Sequence, residues 1–172
     1  GMEFTPVVYD TSVQTREGFD GGSCDVLTSD KSQLAAIRSE LKDPTGAAIL
    51  PETISKEPLG PAVRQGDDQW ANIVRWTLFA LINADELGVT SANADDMKAS
   101  SENPNIKRLL GTEDTMGEHL GLSNDWALNA IKAVGNYDEM YTRNITPLGL
   151  ERAGSVNALW NKGGVLYAPP VR

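Results

Sequence analysis

The sequence predicts an α/β fold class: a parallel β-α-β piece followed by a mainly helical C-terminal region. Three observations lead there. Across residues 4–50, short runs of β-forming residues alternate with stretches of helical spacing, the pattern of strands joined by helical crossovers. A break rich in Pro and Gly follows at Pro58, Gly60 and Pro61. From Asp67 onward, apolar residues recur with a helical period, which ends the alternation.

Taken in order, residues 4–9 read as a strand, and Pro6 confines it to a sheet edge or to its own start. Thr11 and Ser12 cap a short helix reaching about Gly18, and Gly21 and Gly22 break the chain before a strand at residues 24–28. Ser32 or Asp30 caps the next helix, whose Leu34, Ile37 and Leu41 follow helical spacing. Asp43-Pro44-Thr45-Gly46 ends it with turn chemistry. Residues 47–50 form a short buried strand, giving a β-α-β-α-β order that requires right-handed crossovers. Residues 52–56 connect to a further strand at 59–64, interrupted by Gly60 and Pro61.

The helix beginning at Asp67 has the clearest pattern in the chain. Trp70, Ile73, Val74, Thr77, Leu78 and Leu81 share one face, and Trp76, Phe79 and Ile82 widen the arc. Asp67 and Asp68 suit its N-terminus and Gly88 its C-terminus. Helical pieces follow at 94–99 and 105–110. A helix capped by Ser123 carries Trp126, Ala127, Ala130, Ile131 and Val134 and stops at Gly135. Asn136 caps another, bearing Tyr137, Met140 and Tyr141. A last helix at 155–162 ends in Gly163-Gly164, before an extended arm closing on Pro169-Pro170. Residues 95–117 carry the weakest pattern for order. All four tryptophans read as core packing.

A net charge of −9, with 15 scattered Lys and Arg, argues against a nucleic-acid partner, which demands clustered cations. With 40% hydrophobic residues the chain can pack a core, no window approaches a membrane span, and a soluble chain is expected. Cys24 is the single cysteine, so an intramolecular disulfide and a multi-thiolate zinc site are both excluded. His119 is the single histidine and has no Ser or Cys partner pattern around it; it reads as solvated surface. Asp67-Asp68 is explained by its helix start, and Asp95-Asp96 lacks calcium-loop spacing. No cofactor, metal or catalytic role is predicted.

Several longer stretches carry a specific likeness. They are residues 22–30, Gly-Ser-Cys-Asp-Val-Leu-Thr-Ser-Asp; residues 54–70, from Ile-Ser-Lys-Glu-Pro-Leu-Gly-Pro to Trp70; residues 76–82; residues 120–127; and the tail Asn157-Ala158-Leu159-Trp160-Asn161-Lys162-Gly163-Gly164 through Tyr167-Ala168-Pro169-Pro170. In these the chain resembles the general L-amino-acid solute-binding proteins of ABC transporters, a type II periplasmic binding protein family. The resemblance implies roughly the C-terminal half of such a protein. Residues 1–56 then stand for part of lobe two, 57–66 for the return crossing between lobes, and 67–172 for the helical C-terminal part of lobe one with its extended tail.

The implied function is that of a non-enzymatic receptor, which delivers an L-amino acid to ABC permease subunits by closing two lobes around it. The same bilobal fold also hosts some dehydratases, so fold alone does not decide against catalysis; no acid or base candidate beyond Asp30 is present to support it. The family is periplasmic. Here Gly1-Met2 resembles a residual tag glycine before a start methionine, and no signal-like apolar run follows.

An amino acid at neutral pH is a zwitterion, so its receptor needs an anion for the ammonium and donors for the carboxylate. Asp30 occupies the position of the family's ammonium-binding aspartate, at the end of a lobe-two strand. From placement alone, Asp30 reads equally as a helix N-cap. Thr28 and Ser29 are candidate ligand neighbours, although alternation turns one of them away; Asp25 reads as a turn or sheet-edge group. The family's carboxylate-binding arginine and helix-start loop belong to a segment ahead of Gly1, so the site is expected to be half present and its binding weak or absent. A second cysteine on an earlier strand of the family leaves Cys24 either a disulfide half or a buried free thiol. The alternative to a receptor is a structural fragment that self-associates, as a homodimer, through exposed lobe surfaces.

Overall fold

Eight α-helices form among residues 3–172, which the computed structural model describes. They fall in two units. The first runs to Pro58 and includes Leu148–Leu150; the second comprises Leu59–Pro147 and Glu151–Arg172.

In the first unit, α1 (Ser12–Asp20) starts at a complete capping box. The Thr11 hydroxyl accepts from the Gln14 amide at 3.2 Å, and the Gln14 side chain accepts from the Thr11 amide at 3.2 Å, so two otherwise orphaned donors are satisfied together. α2 (Lys31–Ser39) lies between Asp30 and Glu40. An Arg16–Glu40 ion pair links the two helices, and the Asp20 carboxylate accepts from the Lys42 amide at 3.1 Å. A single 3₁₀ turn, Pro44–Gly46, follows, with Asp43 accepting from the Thr45 amide at 3.0 Å.

The predicted strands require correction. Residues 4–9, 24–28, 47–50 and 59–64 run without regular secondary structure, and no β-ladder forms among the described residues. The parallel β-α-β piece is therefore absent as a sheet. The composition suits strands, but a strand exists only through backbone bonds to a neighbour, and among the described residues these segments form no such ladder. The apolar side chains meant for a core are correspondingly exposed: Phe4 at 81%, Val8 at 85%, Val26 at 73% and Leu50 at 62%. Ala35 and Leu41 are the buried hydrophobic residues of this unit among those described.

The second unit is built on α3 (Asp68–Glu86), whose 19 residues bury Ala80, Leu81, Ile82 and Ala84. The Asp67 carboxylate caps it by accepting from the Trp70 amide at 3.0 Å. α5 (Pro104–Leu109), α7 (Trp126–Val134) and α8 (Tyr137–Asn144) all pack on α3, and α4 (Ala94–Ser100) packs on α5 and α7. Leu109, Leu110, Ile131 and Val89 close the main core with almost no exposure. Ile82, Leu159 and Ala168 form a smaller cluster on another side of α3, with Phe79 packed against it. Trp76 meets that Phe79 edge to face at 5.6 Å. The C-terminal tail is extended, as expected, and pinned: Asn83 donates to the Pro169 carbonyl at 2.8 Å, and Val171 enters the main core.

Other expectations change in this unit. Residues 95–117, weak in pattern, are ordered into α4, α5 and the start of α6 (Met116–His119), because Ile106, Leu109 and Leu110 supply buried anchors amid the polar residues. Asp125, not Ser123, stands before α7; the Ser123 hydroxyl donates to the Asp125 carboxylate at 2.6 Å instead. The helix expected at 155–162 shrinks to the 3₁₀ turn Trp160–Lys162. There the Leu166 amide donates to Ala158 at 3.1 Å and the Trp160 amide to Leu166 at 2.9 Å, so bonds between the two arms of the 158–166 turn replace helical ones. Trp126 is buried, whereas Trp70 and Trp160 are half exposed at 51% and 52%, so core packing does not describe them. At Gly111, with φ at +75°, an added Cβ would strike the Asn124 carbonyl, which only glycine avoids.

Ile131→Ala in the core of α3 and α7 is expected to cost about 2–5 kcal/mol, whereas Val8→Ala in an exposed extended segment is expected to cost nearly nothing. Urea denaturation monitored by tryptophan fluorescence measures both; similar losses for the two would contradict the assigned core.

Candidate functional site

Asp30 ends the extended segment 24–29 and immediately precedes α2, with its backbone at φ −63° and ψ 149°. That is N-cap geometry. Its side chain, however, makes no capping bond, and among the described residues it accepts no hydrogen bond and joins no ion pair. The nearest cation in sequence, Lys31, turns its ammonium to the Pro51 carbonyl at 3.2 Å. Asp30 is half-buried. A carboxylate at a helix start, neither neutralised nor spent on its own amides, is chemically able to take an external cation.

The two neighbours separate in behaviour. Ser29 is exposed and its hydroxyl is engaged with the Gln33 side chain on α2. Thr28 is exposed as well. Neither is brought against the Asp30 carboxylate by a hydrogen bond. Cys24 is a free, half-buried thiol. His119 is exposed on α6. Among the described residues, no group of three or more His, Cys, Asp or Glu side chains is arranged to hold a metal ion, and no helix is long and apolar enough to cross a membrane.

A second polar constellation, in the other unit, escaped the sequence reading. Arg152 is buried, with its Nη2 2.6 Å from Asp85 Oδ2 on α3 and its Nη1 2.7 Å from Asp138 Oδ1 on α8. The Asp85 contact is close but poorly aligned, since neither atom satisfies hydrogen-bond geometry; the separation makes it an ion pair all the same. Nε donates to the Asn157 carbonyl at 2.9 Å, and the guanidinium lies 5.1 Å from the Tyr137 ring centroid. Burial pulls the guanidinium downward, but the carboxylates of Asp85 and Asp138 beside it outweigh this and hold it above its ordinary value. Burial likewise raises the Tyr137 phenol. All three nitrogens of Arg152 are committed inside the protein, leaving no bidentate face for a carboxylate ligand. The cluster is a clamp joining α3, α8 and the 152–157 loop. Its partners are 67 and 14 positions away along the chain, so no local pattern announces it.

Glu139 is the other engaged carboxylate. It closes the capping box of α8 by accepting from the Asn136 amide at 2.8 Å, and also accepts from the Ser91 hydroxyl at 2.6 Å. Burial acts to raise its pKa, but the Ser91 and Asn136 hydrogen bonds prevail and lower it. Asn136 itself donates to the Val89 carbonyl at 2.9 Å. The start of α8 is thereby stitched to the 89–91 turn.

No protein-family model matches the chain. It is 57% identical, over 99% of its length and 51% of the relative's, to the general L-amino acid-binding periplasmic protein of Rhizobium johnstonii. Identity is 51%, over 99% of this chain and 50% of the relative, to a putative amino-acid ABC transporter-binding protein of Escherichia coli. It is 48%, over 99% and 51%, to a glutamate/glutamine/aspartate/asparagine-binding protein of Rhodobacter capsulatus. Among solved structures, the fold matches an ABC transporter periplasmic binding protein from Brucella ovis with glutathione bound. There the TM-score is 0.92 at 51% identity, covering 99% of this chain and 54% of that one. The likeness first read from residues 22–30, 54–70 and the tail is borne out, and the chain spans about half the length of the curated relatives it matches. These relatives are named as binding proteins, not enzymes.

Arg152→Ala, which strands Asp85 without its cation, is expected to destabilise the protein by about 3–5 kcal/mol, and Arg152→Met with Asp85→Leu by clearly less. Equal losses in urea titrations of the single and double variants would refute the clamp. For Glu139, the lowered folded pKa means its stabilisation is present above the ordinary carboxylate value of 4.5 and disappears as pH falls through the folded value. Glu139→Gln should therefore lower Tm at about pH 7, with the gap to the parent protein narrowing toward about pH 3; a gap constant with pH would show that the charge is not responsible.

Proposed function

Starting from a chain homologous over nearly its whole length to half of an amino-acid ABC transporter binding protein, we propose that it is part of the solute-receptor component of an importer for L-amino acids. In the whole protein, this component delivers solute to permease subunits. On this reading residues 1–56 belong to lobe two, 57–66 to the crossing between lobes, and 67–172 to the helical part of lobe one. The observation that carries the ligand role is the state of Asp30: a half-buried carboxylate at the N-cap of α2 with no capping bond and no ion pair among the described residues. Its function is to accept the α-ammonium of the solute.

The ligands in the relatives' names agree with such chemistry. Amino acids and the glutamyl end of glutathione share one feature, an α-ammonium beside an α-carboxylate, so one carboxylate at the rim serves them all. The side-chain preference belongs to other positions. Thr28 and Ser29 are secondary: Ser29 would have to leave Gln33 before contacting solute.

We further propose that residues 1–172 on their own hold the partner of the ammonium but not that of the carboxylate. Each absent charge-assisted bond removes roughly 1.5–3 kcal/mol, so two or three lost bonds carry a micromolar site of about −8 kcal/mol into the millimolar range or beyond. Calorimetry across the L-amino acids should accordingly detect no micromolar binding. Amide shifts in NMR at millimolar L-glutamate should be confined to the region of Asp30 and vanish in Asp30→Asn. Micromolar affinity would defeat the half-site reading, and unchanged shifts in Asp30→Asn would defeat the role of that carboxylate. Asparagine at the matching position of a full-length relative is expected to weaken binding by roughly tenfold to a hundredfold.

A further inference from the structure

We propose that Ser29 is a positioning residue: by holding the Gln33 side chain, it keeps the Asp30 carboxylate off the amides of α2 and free for a cation. The proposal deepens the ammonium-binding reading of Asp30 and rests on it. It starts from a spacing. A polar residue followed three positions later by Glu or Gln marks a capping box, in which the first side chain accepts from the later amide and the later side chain accepts from the first amide. That spacing stands at four helix starts: Thr11 with Gln14, Asp30 with Gln33, Thr115 with Glu118, and Asn136 with Glu139.

Two of the four close completely. Asn136 and Glu139 exchange bonds of 2.8 and 2.9 Å at the start of α8, and Thr11 and Gln14 do the same at the start of α1. In both, the capping residue is extended, with ψ at −179° and 154°, the backbone that aims its side chain at the exposed amides. Thr115 fails for a visible reason, since its ψ of 37° is not extended. That reason does not apply to Asp30, whose ψ of 149° matches the closed boxes. Its box is nevertheless open on both sides. The carboxylate caps nothing, and the Gln33 side chain accepts from the Ser29 hydroxyl instead of the Asp30 amide.

Ser29 is what separates this helix start from the two closed ones. The residues before Thr11 and Asn136 are Asp10 and Gly135, and neither offers a hydroxyl to the side chain four positions on. A carboxylate bonded to the amides of its own helix has part of its accepting capacity fixed in direction. One that forgoes the cap keeps both oxygens for an ammonium. Local rules broken in this way, at some loss of local stability, are expected where binding takes precedence over the helix.

The test measures amide exchange, without solute, in the 172-residue chain and in Ser29→Ala, Ser29→Thr and the double variant Ser29→Ala with Asp30→Ala. Ser29 is exposed, so folding should survive, and unchanged exchange at residues 126–134 verifies it. Loss of the hydroxyl releases Gln33 and closes the box, so the Gln33 amide should exchange roughly fivefold more slowly in Ser29→Ala than in the parent. Ser29→Thr retains the hydroxyl and should behave as the parent. Adding Asp30→Ala should abolish the slowing, which identifies the acceptor. In NMR titrations with L-glutamate, the midpoint of the shifts near Asp30 should rise roughly fivefold in Ser29→Ala and return to the parent value in Ser29→Thr. Mere loss of a surface bond would quicken exchange at the start of α2, not slow it. The proposal is overturned if the Gln33 amide in Ser29→Ala exchanges as fast as in the parent or faster, if the slowing survives Asp30→Ala, or if parent and Ser29→Ala titrate alike with glutamate. The exchange measurements contain no solute and decide the placement of Asp30 alone; a parent chain without glutamate-induced shifts sinks the ammonium role instead.

Discussion

The apolar arc of α3 is the surface against which the second unit is assembled. Its 19 residues extend about 28 Å and offer one face to the main core with α5, α7 and α8, and another, through Leu78, Phe79 and Ile82, to Leu159 and Ala168. Helices as short as α5, with 6 residues, and α8, with 8, are marginal in isolation because nucleation is costly. They persist here because each lays an apolar face on α3. The polar stitches reinforce that arrangement at its ends: Arg152 joins α3 to α8 through Asp85 and Asp138, and Glu139 ties the start of α8 to Ser91.

Nothing comparable organises the first unit. Helix α1 starts at a capping box, α2 starts without a side-chain cap, and an ion pair links the two, but the extended segments of the unit lack the lateral bonds that would make them strands. A helix satisfies its backbone within itself, whereas a strand borrows its satisfaction from a neighbour. That difference explains why α1 and α2 form as expected while residues 4–9, 24–28 and 47–50 do not become β-structure. Asp30 stands at the start of α2 without capping its amides.

Two kinds of carboxylate are thereby distinguished. Asp85, Asp138 and Glu139 are engaged by partners inside the protein and serve its architecture. Asp30 has no such partner among the described residues. On the function proposed above, a receptor for zwitterions requires an anion of the second kind.

Much of this was legible in the sequence because it is local. Thr11 with Gln14, Asp67 before an apolar arc, and Asn136 with Glu139 mark helix starts within four residues, and all three are used as such. Extended residue stretches from Gly22 to Pro170 likewise carried the kinship. What the sequence determined alone was therefore the starts of α1, α3 and α8, the α3 face and the family likeness, each of them set by neighbouring residues. The tertiary structure decided that β-forming segments stay unpaired, that Trp160 opens to solvent while a polar stretch hides Leu109 and Leu110, and that Arg152 finds Asp85 across 67 positions. Those outcomes depend on which distant surface is present to pair with or to bury against, and no window of sequence contains that information.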